Sequence, residues 1–302
     1  MEMFNKKVLA DRIGPLKKNT KLESLEQVER YVLRKCRELG LEHSYDVIAE
    51  EMPYFKTMGY TEYATCFMLQ PLNLKMRQAQ IADAEAHDVE EISDWVSYFK
   101  DNINNNQANK YQKRKNDFEN YEDKTALVIL PGSNKLKENC CLNKLIDASK
   151  KYKGDIYFKP HPITTHAVIG EIKDLFGEES ILPRDIDLYY FLQKAKKVYS
   201  THISESALYS VVLGKDVEPM DVWNNINRGS FYSVNSRLYD NKEKGHEWIN
   251  KVFSSYKSGI INPALDLDWK GKVDDYMNYI YEKREYYKGW FLDAPPKVKR
   301  NK

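Results

Sequence analysis

No window of the sequence approaches the ~20 consecutive apolar residues that a membrane-spanning helix needs. The opening stretch, MEMFNKKVLADRIG, also lacks the apolar run of a secretory signal. The protein is therefore expected to stay in the compartment where it is made, the cytoplasm. Cysteine is scarce. The four are Cys36, Cys66, Cys140 and Cys141, with no C-x-x-C spacing among them. That argues against a disulfide framework and a structural metal site, and points to reduced thiols. An excess of one charge is missing too. Forty-seven Lys and Arg against 45 Asp and Glu leave +2 over 302 residues. A dominant polyelectrolyte field is excluded, so any nucleic-acid contact must come from local patches. No repeat of fixed period is visible.

What is present suits a folded enzyme-sized chain. Hydrophobic residues make up 42%, enough for the core of one large domain or two modest ones. Tyrosine is abundant, at 22, which serves packing or a stacking surface for bases or sugars. Residues 1–120 read mainly as helix. LESLEQVERYVLRKCRELGL places Leu22, Leu25, Val28, Val32 and Leu33 at helical spacing, with Ser24 and Gln27 as a capping box. In SYDVIAEEMPYFKTMGY the pattern breaks at Pro53 and Gly59. MRQAQIADAEAHDVEEISDWVSYFKDNI reads as one or two further helices. Residues 102–124 are polar and carry the basic cluster Lys110, Lys113, Arg114 and Lys115; they are predicted to be the domain boundary.

Beyond Lys124 short apolar runs alternate with helical patterns: TALVIL, then a helix, DIYF, a helix, ESILPR, a helix, KVYS, then ESALYSVVLG. This is the signature of β-α-β units around a parallel sheet. Runs as continuously apolar as LVIL suit strands buried on both faces. The fold class is thus α/β. It comprises a helical part over 1–120, a Rossmann-like domain over 121–290 and a basic tail over 291–302.

Ligands of such sheets bind at the carboxyl ends of the strands. Three loops follow apolar strands there: Pro131 to Asn134 (PGSN), Lys159 to Thr165 (KPHPITT) and Ser200 to Ser206 (STHISES). Gly132 allows close backbone approach, and Ser133, Thr201, Ser204 and Ser206 offer hydroxyls. Lys159 and His161 supply positive charge, and each loop leads to the positive end of a helix. Together they make an anion site suited to a diphosphate or phosphodiester. Pro160 and Pro162 hold His161 rigidly, which lowers the entropy cost of donating to a phosphate oxygen. His166 and His202 read instead as capping or packing residues, and Asp185-x-Asp187 as a helix cap.

Residues 125 to about 220 resemble the nucleotide-sugar-binding domain of GT-B glycosyltransferases. LVILPGS resembles its first strand and loop. FKPHP resembles the His-Pro motif of bacterial sialyltransferases and of the Kdo and capsule-polysaccharide transferases, and STHISESALYSVVLGKDVEPMD resembles their serine motif. The usual proline of that motif's final turn is replaced in Gly214-Lys215-Asp216-Val217. The resemblance implies that His161 stabilises the leaving phosphate as the catalytic residue. It implies a donor-phosphate site at Gly132, Ser133, Lys159, Thr201, Ser204 and Ser206, with Glu205 near a ribose or sugar hydroxyl. The nucleotide-sugar is a co-substrate; no separate cofactor is implied. Neither a D/E-D/E-G motif nor a D-x-D at a strand end is present, so the general base is unassigned and no metal site is expected. Glu50, Glu51, Asp83, Glu85, His87 and Asp88 are acid–base candidates by position alone.

The acceptor stays open between a surface glycan and DNA bearing a hydroxymethylated base. The Asn/Lys/Tyr-rich composition and the basic patches over 5–21 and 110–115 fit the phage DNA glycosyltransferases. Two other functions fit parts of the sequence. One is a sugar-nucleotide epimerase of the same architecture. The other is a non-catalytic nucleic-acid- or protein-binding module; the near-neutral charge argues against nonspecific nucleic-acid binding as its main job.

Overall fold

The computed structural model describes residues 22–39, 53–58, 66–71, 74–105, 117–132, 146–147, 149–221 and 231–291. The chain is α/β, with nine α-helices and a four-stranded parallel sheet among these residues. It divides into two compact units. One contains Asp94–Asn250; the other contains Glu23–Lys56, Thr65–Ser93 and the chain from Lys251 onward.

The sheet of the first unit is built from β3 (Ala126–Ile129), β4 (Ile156–Lys159), β5 (Lys197–Ser200) and β6 (Asp216–Pro219), in the order β4-β3-β5-β6, all parallel. Every residue of β3 and β4 is buried, as the apolar runs ALVI and IYF suit for a sheet covered on both faces. Ala126, Val128, Ile156, Phe158 and Tyr199 form a core on one face with Ile172 and Phe176, which come from helix α4 (His166–Phe176). On the other face Tyr157 meets Phe191 edge-on, a residue of α5 (Leu188–Lys194). The helix α6 (Glu205–Val212) is buried from Ser206 to Val212, and α7 (Tyr232–Asp240) follows it. The expected strand in ESILPR is reduced to one bridge, Phe158 to Ile181. Asp187 caps α5 as expected, accepting from the Tyr189 N–H at 3.0 Å.

The second unit is not purely helical. Helix α1 (Leu22–Glu38) begins before Ser24, so that serine lies inside the helix and not at its cap. Strands β1 (Pro53–Met58) and β2 (Cys66–Pro71) follow, then α2 (Leu74–Ala86). After α8 (Gly245–Ser254) come the two-residue strand β7 (Ile260–Ile261) and α9 (Trp269–Phe291). The sheet order is β1-β2-β7, with β2 and β7 antiparallel. Pro53 thus opens a strand, where its missing N–H is tolerated, and does not interrupt a helix. Val28, Val32, Cys36, Leu69, Ile261, Tyr276 and Met277 form the core.

The compact units do not part near residue 120. Helix α3 (Trp95–Asn104) lies with the parallel sheet, its Phe99 edge-on to Tyr209 at 5.7 Å and its Val96 N–H bonded to Asn250 at 2.9 Å. The segment from 251 lies with α1 and β2. These groupings rest on contacts between distant parts of the chain, which local composition does not reveal.

Candidate functional site

The strand order fixes the site. From β3 the chain moves to one side to form β4, then crosses to the other side of β3 to form β5. Ligands of open parallel sheets bind where the order reverses in this way. All four strands run the same way, so the three loops singled out from sequence leave one edge of the sheet. Val128 pairs with Tyr199 and Ile129 with Lys159. Counting on by two or three residues sets Pro131, His161 and His202 level with one another, one loop on each side of the β3 loop.

The first two loops are tied directly. The Thr164 hydroxyl, fully buried, donates to the Pro131 carbonyl at 3.1 Å. Arg184 donates to the Thr164 carbonyl at 2.6 Å, and the Thr164 N–H closes a turn onto the His161 carbonyl at 2.8 Å. Gly132 is buried at the end of β3; Ser133 and Asn134 lie outside the described residues. His161 is half-buried between the prolines. Its Nδ1 lies 3.3 Å from the Ile163 N–H. That N–H can only donate, so in the neutral ring the proton sits on Nε2, which is then a donor.

Lys159 stands apart from the other candidates. Its ammonium donates to the Arg184 carbonyl at 2.8 Å and the Pro160 carbonyl at 3.2 Å, and only 7% of the residue is exposed. Burial pushes its pKa down to about 8, against the pull of Asp185 and Asp187. Period-two alternation along β4 explains the placement. Phe158 faces the α4 side, so Lys159 turns with Tyr157 to the opposite face.

The serine loop is a hydroxyl chain. Ser206 Oγ lies 3.2 Å from Ser200 Oγ and in short contact with Ser204 Oγ. Ser204 occupies the N-cap of α6 without using its side chain as a cap, so its hydroxyl serves the chain of serines at the helix's positive end. Thr201 is buried, and its carbonyl accepts the Ser204 N–H at 3.0 Å. Glu205 lies along its own helix, accepting from the Tyr209 hydroxyl at 3.3 Å.

His202, read from sequence as a capping or packing residue, is buried with its ring against Tyr232 and Tyr239. The Asp221 carboxylate, beyond β6, accepts the His202 backbone N–H at 3.0 and 3.1 Å and faces its Nδ1 at 2.7 Å. Asn235 of α7 donates to the His202 and Ser204 carbonyls at 2.7 and 2.8 Å. Sequence reasoning gave Asp221 no role, although it closes the stretch that resembles the serine motif, because it lies 19 residues beyond His202. The register Ser200 to Pro219 was the signal that could have found it, since it sets His202 level with Asp221.

The acid–base candidates by position fall in the second unit or outside the described residues. Asp83 accepts from the Tyr279 hydroxyl at 2.7 Å. His87 bonds Ser255 at 2.9 Å, packs edge-on to Tyr256, and has its pKa lowered by burial and then by Lys257. Glu50, Glu51 and both basic patches are outside the described residues. Among the described residues no cluster of three or more His, Cys, Asp or Glu side chains could hold a metal ion. No family model, no curated protein and no solved structure matches this chain.

Proposed function

We propose that the protein is a glycosyltransferase that moves a sugar from a nucleotide-sugar donor to an acceptor hydroxyl, with the donor phosphate bound at the carboxyl edge of the parallel sheet. The observation that carries this reading is that the His-Pro loop and the serine loop leave the same sheet edge on either side of the β3 loop, where the strand order reverses. In this reading His161 donates from Nε2 to a phosphate oxygen and stabilises the charge that develops as the nucleotide leaves. Gly132 allows the phosphate close to the backbone. Ser204 and Ser206 donate from the other side, at the start of α6. Lys159 drops out of the phosphate set, because backbone carbonyls hold its ammonium. The architecture is read as GT-B-like and the acceptor as either a surface glycan or a hydroxymethylated base in DNA. Neither assignment requires an essential metal.

The test is a thermal-shift panel of CMP, UDP, GDP and their sugar conjugates. Ligand at 100 times its Kd adds about 2.7 kcal/mol to stability, a shift of several degrees for a chain of this size. One nucleotide is expected to raise the melting temperature, and His161→Ala to abolish the shift and lower sugar transfer at least tenfold with the fold intact. No shift with any of them would refute the donor site. A converted donor sugar without any acceptor would favour the epimerase.

A further inference from the structure

We propose that His202 and Asp221 are the proton-transferring pair of this edge, with His202 Nε2 taking the proton of the attacking hydroxyl. The assignment rests on the glycosyltransferase reading above and supplies the general base that no sequence motif provides.

The geometry sets the direction of proton transfer. An ionised carboxylate only accepts hydrogen bonds. Asp221, buried and holding the His202 N–H with both oxygens, therefore fixes the imidazole proton on Nδ1, 2.7 Å away. Nε2 then carries the lone pair, and it has no hydrogen-bond partner among the described residues. The Asp221 side chain is 1% exposed and that of His202 11%, so the carboxylate is sealed while the imidazole keeps an opening. Among the described residues the ring partners of His202 are two tyrosines. Tyr232 and Tyr239 of α7 lie at 5.4 and 4.9 Å. Burial, reinforced by Asp221, holds the Tyr239 phenol well above its usual range, so it stays neutral, 3.4 Å from the Ser200 carbonyl. Asn235 fixes the loop through backbone carbonyls. A mere clamp would need only the bonds from the backbone N–H. The added Nδ1 bond orients the ring and fixes its tautomer, which leaves Nε2 as the acceptor.

The two histidines of the edge thus carry opposite tautomers. His161 presents a donor for phosphate, and His202 presents an acceptor for a proton. Their loops leave strands two places apart, about 10 Å by the spacing of paired strands, a span that a phosphate-linked sugar covers. In the step, the acceptor oxygen forms its bond to the anomeric carbon while its proton passes to Nε2. The bond from that carbon to the phosphate oxygen breaks, and its electron pair leaves with the nucleotide. His202 returns the proton to solvent afterwards.

The experiment uses diethyl pyrocarbonate, which acylates unprotonated imidazole nitrogen, on the full chain between pH 5 and 8, with sites mapped by mass spectrometry. His202 is expected to react in the folded protein, at least fivefold more slowly in Asp221→Asn, and to be protected by the nucleotide that raises the melting temperature. An inert His202, or a rate indifferent to Asp221→Asn, overturns the pair. Rapid Asp221-dependent reaction with no protection by UDP, GDP, CMP or their sugars supports the pair and overturns the nucleotide-sugar reading. Should Asp221→Asn not fold, nitrogen-15 shifts of the wild-type imidazoles decide the matter: protonated Nδ1 with bare Nε2 at His202 supports it, and the reverse tautomer overturns it.

Discussion

Replacing Lys159 by Met should change how stability depends on pH far more than it changes stability at pH 7. The folded-state pKa of about 8 lies below the ordinary value of 10.5, so the unfolded chain holds this proton more tightly. Below pH 8 both states are protonated, and the cost of burying the charge is present in full. Between pH 8 and 10.5 the unfolded state binds more protons than the folded one, so stability rises with pH. Above 10.5 both states are neutral and the cost is gone. At about 1.4 kcal/mol per pKa unit, the gain across that window is on the order of 3 kcal/mol. Met fills a similar volume without charge, but leaves the Arg184 and Pro160 carbonyls without this donor, which costs about 1–3 kcal/mol. These terms nearly offset at neutral pH. The measurement is urea unfolding of both proteins at intervals from pH 7 to 10.5. The stability of wild type minus that of Lys159→Met should grow by about 3 kcal/mol over the range. A difference that stays flat would refute the reasoning. It would mean that the ammonium is solvated, keeps its ordinary pKa and is available to an anion after all.

Other substitutions test the scaffold. Thr164→Val keeps the side-chain shape but removes the bond to Pro131, and should cost about 1–3 kcal/mol and weaken nucleotide binding; Thr164→Ser should lose less, and equal melting temperatures for the two would show that the hydroxyl bridge is idle. Asp187→Ala should cost about 1 kcal/mol through the lost cap of α5, read by urea unfolding, with no effect expected on nucleotide affinity. Gly259 has φ +66°, and a Cβ there would sit 2.1 Å from the Leu69 carbonyl oxygen. Gly259→Ala should therefore destabilise the second unit by at least about 2 kcal/mol, and an unchanged melting curve would contradict the close approach.

The sheet unit was legible because its signal is local. Three short runs, TALVIL, DIYF and KVYS, each followed by a helical pattern, need nothing but their own residues to declare parallel β-α-β structure, and Asp187 as a cap needs only its neighbours. The second unit was much less so. The strand PYFKTM sits between breakers that also end helices, and β7 is two residues long, beneath any periodicity. Gln80 ties distant parts of that unit: it donates to the Leu69 carbonyl at 3.0 Å and the Ser258 carbonyl at 2.5 Å and accepts from the Tyr276 hydroxyl at 3.2 Å. Those partners run from Leu69 to Tyr276, and no sequence window contains them.

The edge shows the same division between local and distant signals. The residue types of the three loops could be chosen from sequence because hydroxyls, glycine and a rigid histidine are chemical labels wherever they fall. The state of each side chain could not, because it depends on what lies opposite. Lys159 carries the right charge for a phosphate, yet the alternation of β4 turns it to the face where two carbonyls hold it. His202 looks like a packing residue until the β5–β6 register sets it against Asp221, and only then does its tautomer follow. Strand register is thus the quantity that converts a list of polar residues into donors and acceptors, and it is why the base of the proposed reaction is found at a residue that sequence reasoning had set aside.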